Sequence, residues 1–352
     1  MKESLSSFVG VWLPQIEEEM QEVLCFSASE QARDEVGQGV KQHYGMMHYH
    51  MGWANANLQP QTMPSGKRLR PIFCLLACEA VGGNPGDALP AAAAIEILHN
   101  FSLVHDDIED GDETRHHRTT VWKLWGVPLA INSGDAMFAL AFAALSRLQR
   151  RGISPNQILQ AIDIFTKTCI ELTEGQHLDM RFEQRNDVQP DDYFHMIKGK
   201  TASLLGCATA IGALVGHGSS AQVKAMQHFG QSVGLAFQIQ DDILGIWGDP
   251  DVTGKPTGND VLRQKKSLPL LHALNHQRIG PKLTTLLAGG ISENQLPRVL
   301  ELLAEAQSRE VAQEQQLFHK AAAMKALEES LGKDAQESAL AALADSLTNR
   351  KA

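Results

Sequence analysis

Residues 91–111 read AAAAIEILHNFSLVHDDIEDG. From Ala91 to Val104 the run is mostly apolar and rich in the helix formers Ala and Leu. It passes without a break into His105-Asp106-Asp107-Ile108-Glu109-Asp110, and Gly111 then supplies a residue suited to ending a helix. A helix here sets Asp106 and Asp110 four apart on one face, roughly 5–6 Å between Cβ atoms. At an effective dielectric near 20 the two charges repel by about 3 kcal/mol. The helix C-terminus disfavours anions as well. Folding alone gives little reason for such an end, whereas a divalent cation shared between the carboxylates does.

Residues 234–242, GLAFQIQDD, repeat the construction: an apolar stretch carrying two amides closes in Asp241 and Asp242, with Asp249 further on. Carboxylate oxygens without His or Cys favour a hard ion such as Mg²⁺, which keeps waters and bridges phosphates. Either pair alone reads equally well as a solvated acidic helix end. Two such ends, with basic segments between and around them, favour a shared metal site.

Outward from these motifs, helical periodicity recurs over 12–28, 71–81, 89–110, 132–149, 155–175, 202–214, 221–245, 294–307 and 309–345. Only short pieces such as Val121–Leu124 look β-like. Breaks fall at Gly- and Pro-bearing turns, among them Gly82-Gly83-Asn84-Pro85-Gly86 and Gly248-Asp249-Pro250, none long enough for an interdomain linker. The expectation is an all-α protein, a single domain over residues 1–352 built as one large helical bundle.

Composition limits what such a bundle does. Apolar residues make up 43% and charged residues 20%, the balance of a folded chain. A net charge of −10 disfavours nucleic-acid binding, which needs a basic face. Anionic substrates are still accessible where metals and a few placed cations invert the local charge. No apolar run reaches the roughly 18 residues of a membrane span, and residues 1–19 lack a signal peptide's basic start and apolar stretch. A cytoplasmic protein is expected. The five cysteines lie in apparently helical segments. Cys74 and Cys78 are four apart without a second Cys/His pair to complete a zinc set, so buried free thiols are expected.

The ordered set GKRLRP (66–71), HNFSLVHDDIED (99–110), EGQHLD (174–179), GKTA (199–202), GLAFQIQDDILG (234–245), GKPTGND (254–260) and KKSLP (265–269) resembles the trans-isoprenyl diphosphate synthase (polyprenyl synthetase) family over nearly the whole chain from Gly66. The resemblance implies an isoprenoid-synthase bundle with a central substrate cavity and head-to-tail condensation of isopentenyl diphosphate with an allylic diphosphate. It implies that Asp106, Asp110 and Asp241 hold Mg²⁺, about three ions, with Asp107 and Asp242 in support. Lys200, Lys255 and Arg115 then neutralise the allylic diphosphate. The carbonyl of Lys200, the hydroxyl of Thr201 and the amide of Gln238 stabilise the allylic cation, while Lys67, Arg70 and His99 grip isopentenyl diphosphate. A homodimer is implied as well.

Two departures from the pattern stand out. Gly245 occupies the place of the second motif's usual third Asp, and Asp249 is a candidate to compensate. The run Thr114-Arg115-His116-His117-Arg118 has His116 where the family's second arginine is expected, which weakens the isopentenyl side unless Arg118 or a protonated His116 serves. The resemblance also sets product length by side chains one turn before Asp106. Phe101, with Ser102 beside it and Met137 or Phe138 on the next helix, implies a short product, C20 with C15 close behind. A class I terpene cyclase and a non-catalytic subunit of a heteromeric synthase are the competing readings. The first has no use for Lys67–Arg70 and normally lacks an Asp241-Asp242 motif, and the second tends to lose metal ligands.

Overall fold

The computed structural model describes residues 4–25, 35–183, 185, 187–249 and 258–349. In chain order the helices are α1 (Leu5–Val23), α2 (Glu35–Met51), α3 (Leu69–Ala80), α4 (Leu89–Glu109), α5 (Val121–Trp125), α6 (Val127–Ser146), α7 (Pro155–Glu183) and α8 (Pro190–Ile197). There follow α9 (Ser203–Val215), α10 (Ser220–Trp247), α11 (Asn259–Leu262), α12 (Leu268–Asn275), α13 (Gly280–Leu287), α14 (Leu296–Glu305), α15 (Ser308–Leu331) and α16 (Ala339–Thr348). The described strands, β1 (Thr114–Arg115) and β2 (Arg118–Thr119), form a minimal antiparallel hairpin just after α4. The all-α expectation holds.

Two compact units are present, Met1–Asp163 with Ile211–Gly218, and Ile164–Ala210 with Ser219–Ala352. In the first, α4 is the centre and packs against α1, α3 and α6. Every residue from Leu89 to Leu98 is buried, and the Ala91–Ala94 run has the small side chains that let neighbours approach from all sides. α3 is likewise buried from Pro71 to Cys78. The end of α9 lies against it so closely that a Cβ on Gly212 would sit 2.0 Å from the Cys74 carbonyl oxygen, so only glycine fits.

In the second unit α10 is the long axis and packs chiefly on α15. One apolar cluster gathers Phe182, Tyr193, Ile239, Ile243 and Leu268. Another gathers Ile246, Val261, Leu270, Leu283, Val299 and Leu302. These clusters hold the C-terminal end of α10, and with it the second aspartate pair.

Several sequence expectations are corrected. Val121–Leu124 is not β-like but the body of α5, a single turn that Gly126, at φ +89°, brings to an end. The helix expected over 309–345 breaks at Gly332, whose φ of +67° and ψ of −143° no α-helix accommodates, and restarts as α16. α2, α8, α12 and α13 lie outside the stretches expected to be helical. Val127–Arg151 is long and apolar enough, by length and composition, to cross a membrane, although Asn132, Ser133 and Asp135 interrupt it and α6 packs on α4. The four cysteines at 74, 78, 169 and 207 are buried free thiols as expected, while Cys25 is exposed.

Candidate active site

In the first unit α4 ends as its sequence requires. The Asp110 amide closes the last turn on the Asp106 carbonyl (2.8 Å), and Gly111 leaves the helix at φ +66°. Asp106 is half-buried and Asp110 exposed, one turn apart on one face. Asp107 points the other way and is buried. Its Oδ1 accepts a 2.7 Å bond from Arg115 Nε, and its Oδ2 is buried with no hydrogen-bond partner. Burial is the main cause that pushes the Asp107 carboxyl up to about 6, and Arg115 opposes it.

A basic pocket lies beside this helix end. Arg70 keeps a buried Nε without a partner, and burial lowers its pKa. His99, two turns before Asp106 on the same face of α4, is held well below the usual histidine range, first by burial and then by Arg70, Arg115 and Arg68. His50 is buried with Nε2 unpartnered and is pushed down to about 3, by burial first and then by Arg115, Arg118 and Arg68. Tyr49, His50, Asp107, Arg115 and Arg118 line a small cavity here, about large enough for one water. Buried cationic side chains with unused donors are costly unless an anion comes to them.

Not every cation of the sequence motif serves that pocket. Arg68, at φ +50°, turns inward and donates to Glu17 (2.8 Å), Glu96 (3.1 Å) and the Met51 carbonyl (2.8 Å). It ties α1, α2 and α4 together, while Lys67 is exposed. Arg118 donates to the Tyr49 and His50 carbonyls and stacks 4.9 Å above the Tyr49 ring. It is therefore occupied in holding α2. His116 adopts φ +50°, and partial burial first, then Arg115 and Arg118, lower its pKa.

Below the first motif, Phe101 lies edge-on to His105 (4.8 Å between ring centroids) and 5.1 Å from Phe138, which contacts Phe142 at 5.5 Å. Met137 is fully buried. A Cβ on Gly134 would strike the His105 ring at 2.3 Å, so that glycine sets how closely α6 approaches α4.

In the second unit Asp241 is exposed at the end of α10, whereas Asp242 is fully buried. Its Oδ1 accepts from Lys265 Nζ (3.0 Å) and Gln238 Nε2 (3.2 Å), and its Oδ2 from the Tyr193 hydroxyl (2.7 Å) and the Leu268 amide (3.3 Å). Lys265 is raised because these carboxylates outweigh its burial. The Thr201 hydroxyl donates to Gln238 Oε1 (2.9 Å). Thr201, Gln238 and Asp242 thus form one chain that fixes which way the Gln238 amide faces.

Lys200 and Thr201 sit in a π-helical turn, Lys198–Ala202, a wide turn of the kind frequent at functional sites. Gly175 of α7 makes room for it, since a Cβ there would meet the Lys200 amide nitrogen at 2.2 Å. Lys200 Nζ pairs with Asp179 of the same helix. Lys255 lies outside the described residues.

The fit to Mg²⁺ rests on donors. Among the described residues no group of three or more His, Cys, Asp or Glu side chains forms a ready cage. Mg²⁺ does not ask for one, since one or two carboxylates plus substrate phosphates are its usual protein share. Oxygen-only ends at Asp106/Asp110 and Asp241, with the orphaned Asp107 Oδ2 behind the first, suit it. Asp242 does not, because donors already occupy both its oxygens.

Sequence reading missed Tyr193, His50 and Glu96, which no motif marks, and the positioning role of Lys265 and Asp179, which sit inside quoted motifs.

The polyprenyl synthetase profile matches residues 52–303. The chain is 46% identical over 230 residues to a geranylgeranyl diphosphate synthase of Mycobacterium tuberculosis, covering 65% of each chain. It is 41% identical over 288 residues to a short chain isoprenyl diphosphate synthase of Methanothermobacter thermautotrophicus, covering 81% of this chain and 87% of that protein. Among solved structures, a polyprenyl synthetase from Streptomyces coelicolor A3(2) superposes with a TM-score of 0.82 at 34% identity, covering 97% of both chains. A geranylgeranyl pyrophosphate synthetase from Pyrococcus horikoshii superposes at 0.84 and 31%, covering 99% and 98%.

Proposed function

Because the chain belongs to the polyprenyl synthetase family, we propose that it is a prenyltransferase joining isopentenyl diphosphate to an allylic diphosphate, head to tail, to give a longer trans-prenyl diphosphate. The observation that carries this is the end of α4: Asp106 and Asp110 on one face, with the buried and unpartnered Arg70 Nε and His50 Nε2 in the same unit. A metal-binding end and buried cationic side chains near it are what two diphosphates need.

In this reading Asp106, Asp110 and Asp241 would hold Mg²⁺, and Asp107 supports the first pair through its unpartnered oxygen. When bound, Mg²⁺ supplies positive charge against the departing pyrophosphate. Lys200 adds its ammonium to that task, so the allylic C–O bond ionises more easily. The Thr201 hydroxyl and the Gln238 amide, locked together at 2.9 Å, direct their dipoles at the cation. Arg70 and His99 hold the second diphosphate, with Lys67 at the mouth. The double bond of isopentenyl diphosphate attacks the cation, and the proton then lost goes to the released pyrophosphate.

The Phe101–Phe138–Phe142 stack favours a short product, C20 or C15. The names of the relatives point the same way, a geranylgeranyl and a short chain synthase. We read the chain as one catalytic domain acting as a homodimer. The exposed Val127, Leu129 and Ile131 of α6 support a partner copy that covers them.

The test is Asp106→Ala, assayed with Mg²⁺, isopentenyl diphosphate and farnesyl diphosphate. Turnover falls at least about a hundredfold, as when transition-state charge stabilisation is lost. Turnover within about threefold of the wild type would overturn the assignment.

A further inference from the structure

The family profile matches from residue 52 onward, and α1 lies wholly before it. One carboxylate of α1 nevertheless reaches into the GKRLRP segment. Glu17 Oε1 accepts from Arg68 Nε at 2.8 Å, and its Oε2 accepts from Trp53 Nε1 at 2.7 Å. Trp53 stands just after α2 and Arg68 just before α3, at the two ends of the loop that joins those helices. Within that loop the Gln61 amide donates to the Trp53 carbonyl (2.9 Å) and the Met63 amide to the Gly52 carbonyl (2.9 Å), so the chain doubles back on its own neck. Glu17 clasps both sides of that neck.

Arg68 carries the consequence. Its side chain is 2% exposed, and each guanidinium nitrogen has an acceptor: Glu17, Glu96 and the Met51 carbonyl. Its backbone sits at φ 50° and ψ 40°, a left-handed conformation that a residue with a side chain keeps only where its surroundings hold it. The three acceptors supply that hold. Lys67 precedes the left-handed residue and is exposed, while Arg70, two residues after it, enters α3 with a buried Nε that has no partner. Glu96, which holds Arg68, is also the carboxylate that opposes the lowering of Arg70 by burial. Release of Arg68 therefore disturbs both the turn that places Lys67 and Arg70 and the charge balance around them.

We propose that Glu17 is a positioning residue for the isopentenyl diphosphate side of the site: it pins Arg68 in the left-handed turn that sets where Lys67 and Arg70 stand. The inference rests on reading Lys67 and Arg70 as the grip on that diphosphate. The competing account is that Glu17 only fastens α1 to the loop, as its bond to Trp53 does by itself.

The test uses the full chain and measures kcat, KM for isopentenyl and farnesyl diphosphate, Tm, and calorimetric binding of isopentenyl diphosphate without primer. Glu17→Gln raises KM and Kd for isopentenyl diphosphate about tenfold, the size of one lost hydrogen bond to a charged group. Its kcat and its KM for farnesyl diphosphate stay within about twofold of the wild type. Trp53→Phe loses only the other Glu17 bond, so Tm falls and both KM values stay within about twofold. Arg68→Lys keeps the charge without the planar fork and raises KM for isopentenyl diphosphate as far as Glu17→Gln does. The double variant Glu17→Gln/Arg68→Lys is no worse than Arg68→Lys, because Glu17 acts through Arg68. Three results would overturn the proposal: a Glu17→Gln that leaves KM and Kd unchanged or raises both KM values alike, a Trp53→Phe that matches it, or effects of Glu17→Gln and Arg68→Lys that add in full. Should Glu17→Gln fail to fold, Glu17→Asp, whose carboxylate is one methylene short, decides by the same split. A wild type that binds isopentenyl diphosphate yet turns over no primer would overturn the proposed function instead, and the Kd values would still decide the role of Glu17. One that does not bind it would overturn both.

Discussion

The adjacent residues Asp241 and Asp242 should fail in different ways. Asp242→Ala strips the acceptor from four donors at once. The Tyr193 hydroxyl and the Leu268 amide are buried, and a buried donor left without a partner costs about 1–3 kcal/mol. Lys265 keeps 36% of its side chain exposed and is rehydrated in part, so its loss is discounted to about 1 kcal/mol, as for surface pairs. The total is roughly 4 kcal/mol. At about 2 °C per kcal/mol for a large domain, Tm falls by about 8 °C. Asp241 is exposed, and any pairing it makes contributes at most about 1 kcal/mol, so Asp241→Ala moves Tm by no more than about 2 °C while turnover collapses. Differential scanning calorimetry of both variants without metal decides. Equal shifts, or an Asp242→Ala shift under about 2 °C, would refute the view that Asp242 organises the site and leaves the ion to its neighbour.

Other expectations follow from particular side chains. Phe101→Ala opens the stack with Phe138 and lengthens the product by at least one isoprene unit, read by mass spectrometry; an unchanged product would remove Phe101 as the floor. His50 is held neutral, its pKa lowered from 6.5 to about 3, so the folded state binds fewer protons than the unfolded one between those values. Its share of stability is whole above pH 6.5 and is lost as pH falls, reaching about 2 kcal/mol at pH 5. Urea titrations at pH 8 and pH 5 should therefore show a smaller loss in His50→Gln than in the wild type, and equal losses would sink this account of the pocket. Gly175→Ala forces a Cβ to within 2.2 Å of the Lys200 amide nitrogen, a clash between backbones that neither side relieves cheaply. We expect kcat to drop about tenfold, equivalent to about 1.4 kcal/mol at the transition state, with KM for isopentenyl diphosphate little changed. A rise in KM alone would place the π-helical turn elsewhere in the reaction.

The long amphipathic or wholly apolar helices were legible because their periodicity survives over several turns: α4, α7 and α10 are recognisable from composition, and Gly111 ends α4 where its backbone freedom suggests. α2, with its His- and Met-rich run Gly45–Met51, is missed because its buried positions include His50 beside Met46, Met47 and Met51, and composition alone does not mark such a histidine as interior. α5 misleads because Val121 and Trp122 have β preferences in the abstract, while Gly126 permits only a single turn. At the site, the aspartate pairs could be read from spacing, whereas Arg70 came only through the family resemblance. The burial that separates Asp242 from Asp241, and Asp107 from Asp106, could not, since both members of each pair are chemically identical until tertiary packing selects which carboxylate meets Tyr193 or Arg115. Arg68 and Arg70 illustrate the same limit: the motif marks both as basic, and only the left-handed backbone at Arg68 turns one inward to Glu17 and Glu96.

The central claim is chain elongation, and the most direct measurement is the mass of what accumulates when the protein is incubated with Mg²⁺, isopentenyl diphosphate and, in turn, dimethylallyl, geranyl and farnesyl diphosphate. The account predicts a trans-prenyl diphosphate of C20 or C15 that forms only when isopentenyl diphosphate is present. A hydrocarbon released from an allylic diphosphate alone, or no product from any of the three primers, would contradict it.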